Sequence, residues 1–160
     1  MTTARRTLAA AAIAGVLALV AAGLSAGGGA TRSLVLEVRF EKASFVTDDV
    51  APKGRSMGDT WVYSGAVTRA GAPFGRYEAV DVGVDGKIQG FVRTAILLLS
   101  DGTIAVQGGG GNVGASGWKP GASDELAVVG GTGAYAGVRG TLRAVELSDP
   151  VMRFTIKLNP

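Results

Sequence analysis

"ELAVVGGTGAYAGVRGTL", residues 125–142, packs five glycines into eighteen positions, and the use of those glycines decides the fold. Gly131-Thr132-Gly133-Ala134-Tyr135-Ala136 fits G-x-G-x-x-G/A, the pattern that cradles a pyrophosphate at a helix N-terminus. That chemistry requires a helix directly after the fingerprint. Gly137 and Gly140 fall where its first turns would be, each costing about 1 kcal/mol against Ala, and no apolar 3.6 period follows. The glycines therefore read as turn formers between strands.

The flanking sequence has the period of strands. Met152, Phe154, Ile156 and Leu158 alternate with Arg153, Thr155 and Lys157, and Leu34, Leu36, Val38 and Phe40 alternate with Val35, Glu37, Arg39 and Glu41. Residues 60–69 and 74–84 are rich in Val, Tyr, Trp and Phe, with Ala70-Gly71-Ala72-Pro73 between them. A run over 87–100 meets Asp101-Gly102, a hairpin signal that leads into 103–108. Residues 108–123, "GGGGNVGASGWKPGAS", read as a long exposed loop, after which 124–129, 138–147 and the last segment resume as strand. The sum is eight strands and no helix beyond the N-terminal segment. An all-β, single eight-stranded antiparallel barrel follows, since closure removes the edges that so many strands would expose.

Composition restricts the chemistry. The chain has 160 residues, enough for one domain. Arg5 and Arg6, an apolar run from Leu8 to Leu24 and small residues from Ser25 to Ala30 have the layout of an export signal, with a retained anchor as the other reading. Residues 1–30 are thus expected to be a signal peptide and 31–160 the barrel domain, exported to the cell envelope or beyond. Removing the signal takes away two of 16 Lys and Arg and none of the 13 Asp and Glu, so the mature domain is nearly neutral. It has no basic run to suit nucleic acid.

Cysteine and histidine are both absent. This excludes Ser-His-Asp and Cys-His nucleophile systems and the usual zinc and copper ligands, leaving Asp, Glu, Tyr or Lys for acid–base work. Thr47-Asp48-Asp49 and the pair Asp81 and Asp85 bear carboxylates, but neither has EF-hand spacing, and both read more simply as solvated strand ends. No metal and no cofactor is expected.

The order of the pieces carries a resemblance. Gly58-Asp59-Thr60-Trp61-Val62-Tyr63, Asp101 to Gly108, and Leu126 to Gly140 with its Gly130-Gly131-Thr132-Gly133 core resemble, in that order, the allene oxide cyclase and dirigent-protein superfamily over roughly residues 33–159. The resemblance implies a calycin-like barrel whose mostly apolar cavity holds a small hydrophobic ligand. It also implies either cyclisation of an unsaturated substrate or the steering of a coupling whose reactants are made elsewhere. Both tasks depend chiefly on shape and on holding one reactive conformer. A purely structural barrel is the third class of reading.

For site residues, the resemblance points to Glu37 in "LVLEVRF", where the cyclases place a cavity glutamate, and to Arg139, which matches the arginine of the dirigent motif. Alternation alone favours the other reading, in which Glu37 is part of a solvated face with Arg39 and Glu41. Arg39 stands where the cyclases have asparagine, and Ala134 where many dirigent proteins have an acidic residue. Arg39, Tyr63, Tyr77, Arg93, Gln107 and Tyr135 complete the candidate ligand-binding set. A homo-oligomer, trimer or dimer, is expected, since Ala95-Ile96-Leu97-Leu98-Leu99 is apolar on both faces.

Overall fold

In a computed structural model of the chain, residues 31–54, 56–84, 90–110 and 119–159 are described. The proposed signal and half of the glycine-rich 108–123 loop, residues 111–118, lie outside them, while 108–110 belong to a strand and not to a loop. The elements are strand β1 (Arg32–Phe40), a 3₁₀ turn (Lys42–Ser44), β2 (Val46–Asp48), β3 (Thr60–Arg69), β4 (Ala72–Gly83), β5 (Phe91–Leu99), β6 (Gly102–Gly110), β7 (Ser123–Gly133), β8 (Arg139–Ser148) and β9 (Val151–Asn159).

Every neighbouring pair is antiparallel, in the order β1-β9-β8-β7-β6-β5-β4-β3-β2, and β1 also pairs with β3. That last pairing closes an eight-stranded barrel. The ninth strand was not anticipated. β1 lies against Gly65 to Thr68 of β3, the chain folds back through the 3₁₀ turn, and β2 then takes the adjoining stretch from Thr60 to Val62. One long strand thus serves two short partners in series.

Alternation decides what fills the barrel. Leu34, Leu36 and Val38 of β1, Leu97 of β5, Ile104 and Val106 of β6, Leu126 and Val128 of β7, Leu142 of β8 and Phe154, Ile156 and Leu158 of β9 form one contiguous buried core. The tight ends need glycine for contact as much as for turning. Leu99 pairs with Gly102, so Ser100 and Asp101 form the hairpin loop, one residue earlier than the Asp-Gly signal suggests. A Cβ on Gly102 would lie 2.2 Å from the Thr132 carbonyl oxygen, and one on Gly140 1.8 Å from that of Lys157. The opening motif is therefore strand and turn: β7 runs through Gly133, and Ala134 to Gly137 carry the chain into β8.

The two ends of the barrel differ. At one, the β3–β4, β5–β6 and β7–β8 turns cluster with the start of β1 and the close of β9, and Tyr135, fully buried in its turn, caps the core. Its hydroxyl donates to Asp101 at 3.0 Å, and the Arg32 guanidinium lies 4.8 Å above its ring. At the other end, β4 closes at Gly83, β5 opens at Phe91, β6 closes at Gly110 and β7 opens at Ser123, and the segment leading into β3 bonds to Gly83 through Gly58 and Asp59.

Candidate functional site

Near this second end the core turns polar. Antiparallel register sets Asp81 of β4 directly opposite Arg93 of β5, both pointing inward and only 6% and 4% exposed. Arg93 donates from Nε to Asp81 Oδ1 and from Nη2 to Oδ2, both at 2.7 Å, the fork geometry that makes an arginine–carboxylate pair strong. Tyr63 of β3 donates its hydroxyl to the same Oδ2 at 2.9 Å. The guanidinium carbon stands 4.6 Å from the Phe91 ring centre and 5.6 Å from that of Tyr63, so its faces meet π-systems while its edge meets the carboxylate.

These neighbours fix protonation. Burial opposes the charge on Arg93, but the paired bonds to the Asp81 carboxylate outweigh it, and its pKa is raised. Burial also pushes Tyr63 well above the usual phenol value, with Arg93 opposing and Tyr77 and Asp81 adding to the rise. Tyr77 is pushed up by burial to about 12, again against the pull of Arg93. All three keep their protons at neutral pH.

Tyr77 is the unusual member. Its ring meets Phe154 edge-on at 5.1 Å and Phe40 at 5.8 Å, and it is fully buried, yet its hydroxyl, although the Tyr63 hydroxyl is close enough to influence it, closes no hydrogen bond. A buried, unpaired hydroxyl is destabilising unless something else meets it. At the rim, Phe45 stacks on Tyr63 at 5.2 Å with 16° between the rings while remaining 54% exposed. Apolar surface therefore leads from solvent to the polar layer.

Two further acids face inward from the next strands. Asp124 of β7 is 5% exposed, and Glu146 of β8, more deeply buried still, accepts the backbone N–H of Lys119. Asp124 lies over Gly110 of β6: a Cβ there would come within 2.6 Å of Oδ2 and 2.9 Å of the Phe91 ring. That oxygen has no hydrogen-bond partner.

Of the residues singled out in the sequence, Tyr63, Tyr77 and Arg93 come together here. The others do not. Glu37 is corrected to the outer face: it is half-exposed and 3.5 Å from Arg153, because the same alternation that buries Leu36 and Val38 turns it outward. Arg39 faces outward for the same reason. Gln107 is exposed beside Thr94 at 3.5 Å, and Arg139 is exposed, bonding the Val138 carbonyl at 3.1 Å. Tyr135 is buried, but at the opposite end of the barrel.

Asp81 is the main omission, since it is no solvated strand end. In β4 the outward residues Val80 and Val82 are more apolar than the inward Ala79, Asp81 and Gly83, so hydropathy gives the wrong face. The phase of Tyr77, counted forward in twos, marks Asp81 as inward. Among the described residues no group of three or more acids is placed to hold a metal ion.

A closed antiparallel barrel with a polar layer beneath one end defines the class of fold. Residues 41–158 match the allene oxide cyclase barrel-like domain family, and the chain belongs to that family. No curated protein matches it in sequence. Among solved structures it is similar to a pyocyanin demethylase, at 18% identity and a TM-score of 0.69 over 80% of this chain and 100% of that one. It is also similar to a pterocarpan synthase dirigent protein, at 16% identity and 0.64 over 81% and 84%. An exo-specific intermolecular Diels-Alderase aligns at 18% identity and 0.63 over 82% and 100%. At these identities the likeness establishes the fold.

Proposed function

We propose that the barrel binds a small, largely apolar unsaturated molecule at its polar-layered end and holds it in the conformer that closes a ring. The observation that carries this reading is the Tyr77 hydroxyl, buried, protonated and unpartnered beside the fixed cation Arg93. A carbonyl of the ligand accepts from Tyr77, which draws electron density from the conjugated system and lowers the barrier to ring closure without any net proton transfer. Asp81 and Tyr63 hold Arg93, and the aliphatic core excludes water and restricts the chain of the ligand. The cyclase and Diels-Alderase functions of barrels with the same fold support this assignment.

The test is single-turnover conversion of linear triene-enone substrates, measured against the rate without protein. Tyr77→Phe keeps the ring and loses the donor, so it should retain binding and lower the rate by about 10- to 100-fold. An unchanged rate would remove Tyr77 from the reaction. A second reading, a dirigent-like or carrier barrel, is favoured by the mutual satisfaction of Arg93, Asp81 and Tyr63, which suits recognition more than proton transfer. Binding with no acceleration of any substrate would select it.

We also infer that residues 1–30 direct export and that the domain self-associates. On the outer face Val46 pairs with Val62, Val62 with Val80, and Val82 with Val92, all well exposed. Leu98, an outward member of the 95–99 run, is exposed on the same sheet. The expected cover is a second copy of the chain.

A further inference from the structure

We propose that Asp124 is a recognition residue for a cationic group, so that the favoured ligand is a flat aromatic or conjugated molecule bearing a positive charge or a polarised N–H. The proposal rests on the reading of the polar end of the barrel as a binding site, and adds the charge of the ligand to it.

Arg93 is the only cationic side chain among the described inward-facing strand residues, and its fork is occupied by Asp81. The carboxylate of Asp124 thus lies in the same polar end with one oxygen, Oδ2, buried and unpartnered. Leaving such an oxygen unmatched is costly, and a cation or charged donor matches it better than a neutral donor does.

The surroundings specify shape. Gly110 runs so close to both groups that a Cβ there would stand 2.6 Å from Asp124 Oδ2 and 2.9 Å from the edge of the Phe91 ring. Carboxylate and ring therefore meet at one place. Arg93 covers Phe91 from another direction, at 4.6 Å. A planar cation can offer its charge to Asp124 and its π-surface to Phe91, whereas a compact ammonium would satisfy the first and leave the second. Deeper in, Tyr77 supplies a donor for an acceptor on the same ligand. The two unpartnered groups are complementary, one accepting and one donating, and together they call for a polar, conjugated ligand with opposite character at its two ends.

The experiment uses two probes of one shape, 1-methylquinolinium and 1-methylnaphthalene, titrated into the purified full chain and followed by Trp fluorescence and calorimetry. The cation should bind about 10-fold or more tightly than its neutral isostere. Asp124→Asn should abolish that preference while leaving the affinity for 1-methylnaphthalene unchanged. Gly110→Ala, which crowds carboxylate and ring together, should weaken both probes. Circular dichroism of each variant verifies the barrel, and if Asp124→Asn does not fold, the same comparison of the two probes is made with Asp124→Ser. Equal binding of the two probes, or a preference that survives Asp124→Asn, would overturn the assignment of Asp124 while leaving the binding end intact. Failure of both probes to bind would overturn both that assignment and the binding reading beneath it.

Discussion

Arg93 and Asp81 face each other across adjacent strands and touch at two points, each 2.7 Å long, inside the barrel. Asp81→Ala strands the guanidinium and the Tyr63 hydroxyl together, so we expect a loss of about 3–5 kcal/mol in urea unfolding. Replacing the whole set by Asp81→Leu, Arg93→Met and Tyr63→Phe should recover most of it, since a dry apolar cluster of similar volume avoids the desolvation of two ions. A single variant as stable as the triple one would contradict the pair's isolation from solvent.

The three tyrosines provide a pH signature. Tyr63, Tyr77 and Tyr135 all have pKa values raised above the ordinary 10.0, chiefly by burial, and Tyr77 reaches about 12. The folded state therefore keeps protons that the unfolded chain releases near pH 10. Their contribution to stability is complete below pH 10 and is lost as pH rises toward 12. Ultraviolet titration should show little phenolate at pH 10 and a steep rise that coincides with unfolding by circular dichroism. Half-ionisation at pH 10 with the barrel intact would refute it.

Glu37 offers a control. Its partner Arg153 is as exposed as it is, so Glu37→Gln should change stability by no more than about 0.5 kcal/mol and leave ligand affinity and turnover at wild-type values. A large loss of turnover would return Glu37 to the mechanism.

Two glycines of the opening motif should respond differently to alanine. At Gly140 the added carbon would collide with the backbone of Lys157, and we expect a loss of at least about 3 kcal/mol or failure to fold. At Gly137, φ is +76° but nothing lies within 4 Å, so only the backbone penalty of about 1–2 kcal/mol applies. Thermal unfolding of the two variants measures the difference, and equal losses would show that conformation alone selects both glycines.

Self-association is read by light scattering at micromolar concentration. A dimer or trimer is expected for the wild type, and a monomer for Val80→Lys combined with Val92→Glu, which places charge on the outer apolar face. A wild type that is monomeric throughout would leave that face without a second copy to cover it.

The residues differ in how legibly the sequence announces them. Period two in Leu34 to Phe40 and Met152 to Leu158 identifies both the strands and their buried faces, because one phase is plainly apolar and the other polar. β4 inverts this relation, and Asp81 is hidden by the outward valines beside it. Asp124 is marked as inward only by the phase of Leu126 and Val128, counted back in twos, and its own polarity argues against that face. The resemblance names the barrel, but the position of a glutamate in a family motif does not override strand phase, and Glu37 follows its strand. A binding residue is hard to find by pattern when its role requires a polar group on the apolar phase.

Arg32 pairs with Leu158, and Thr31 lies 3.4 Å from the Asn159 side chain, so both tails of the described chain depart beside Tyr135. Anything joined covalently there, whether a leader, a fusion partner or a solid support, meets the capped end. The polar-layered end then points away from the tether, and the protein can be held at either terminus with that end toward the medium.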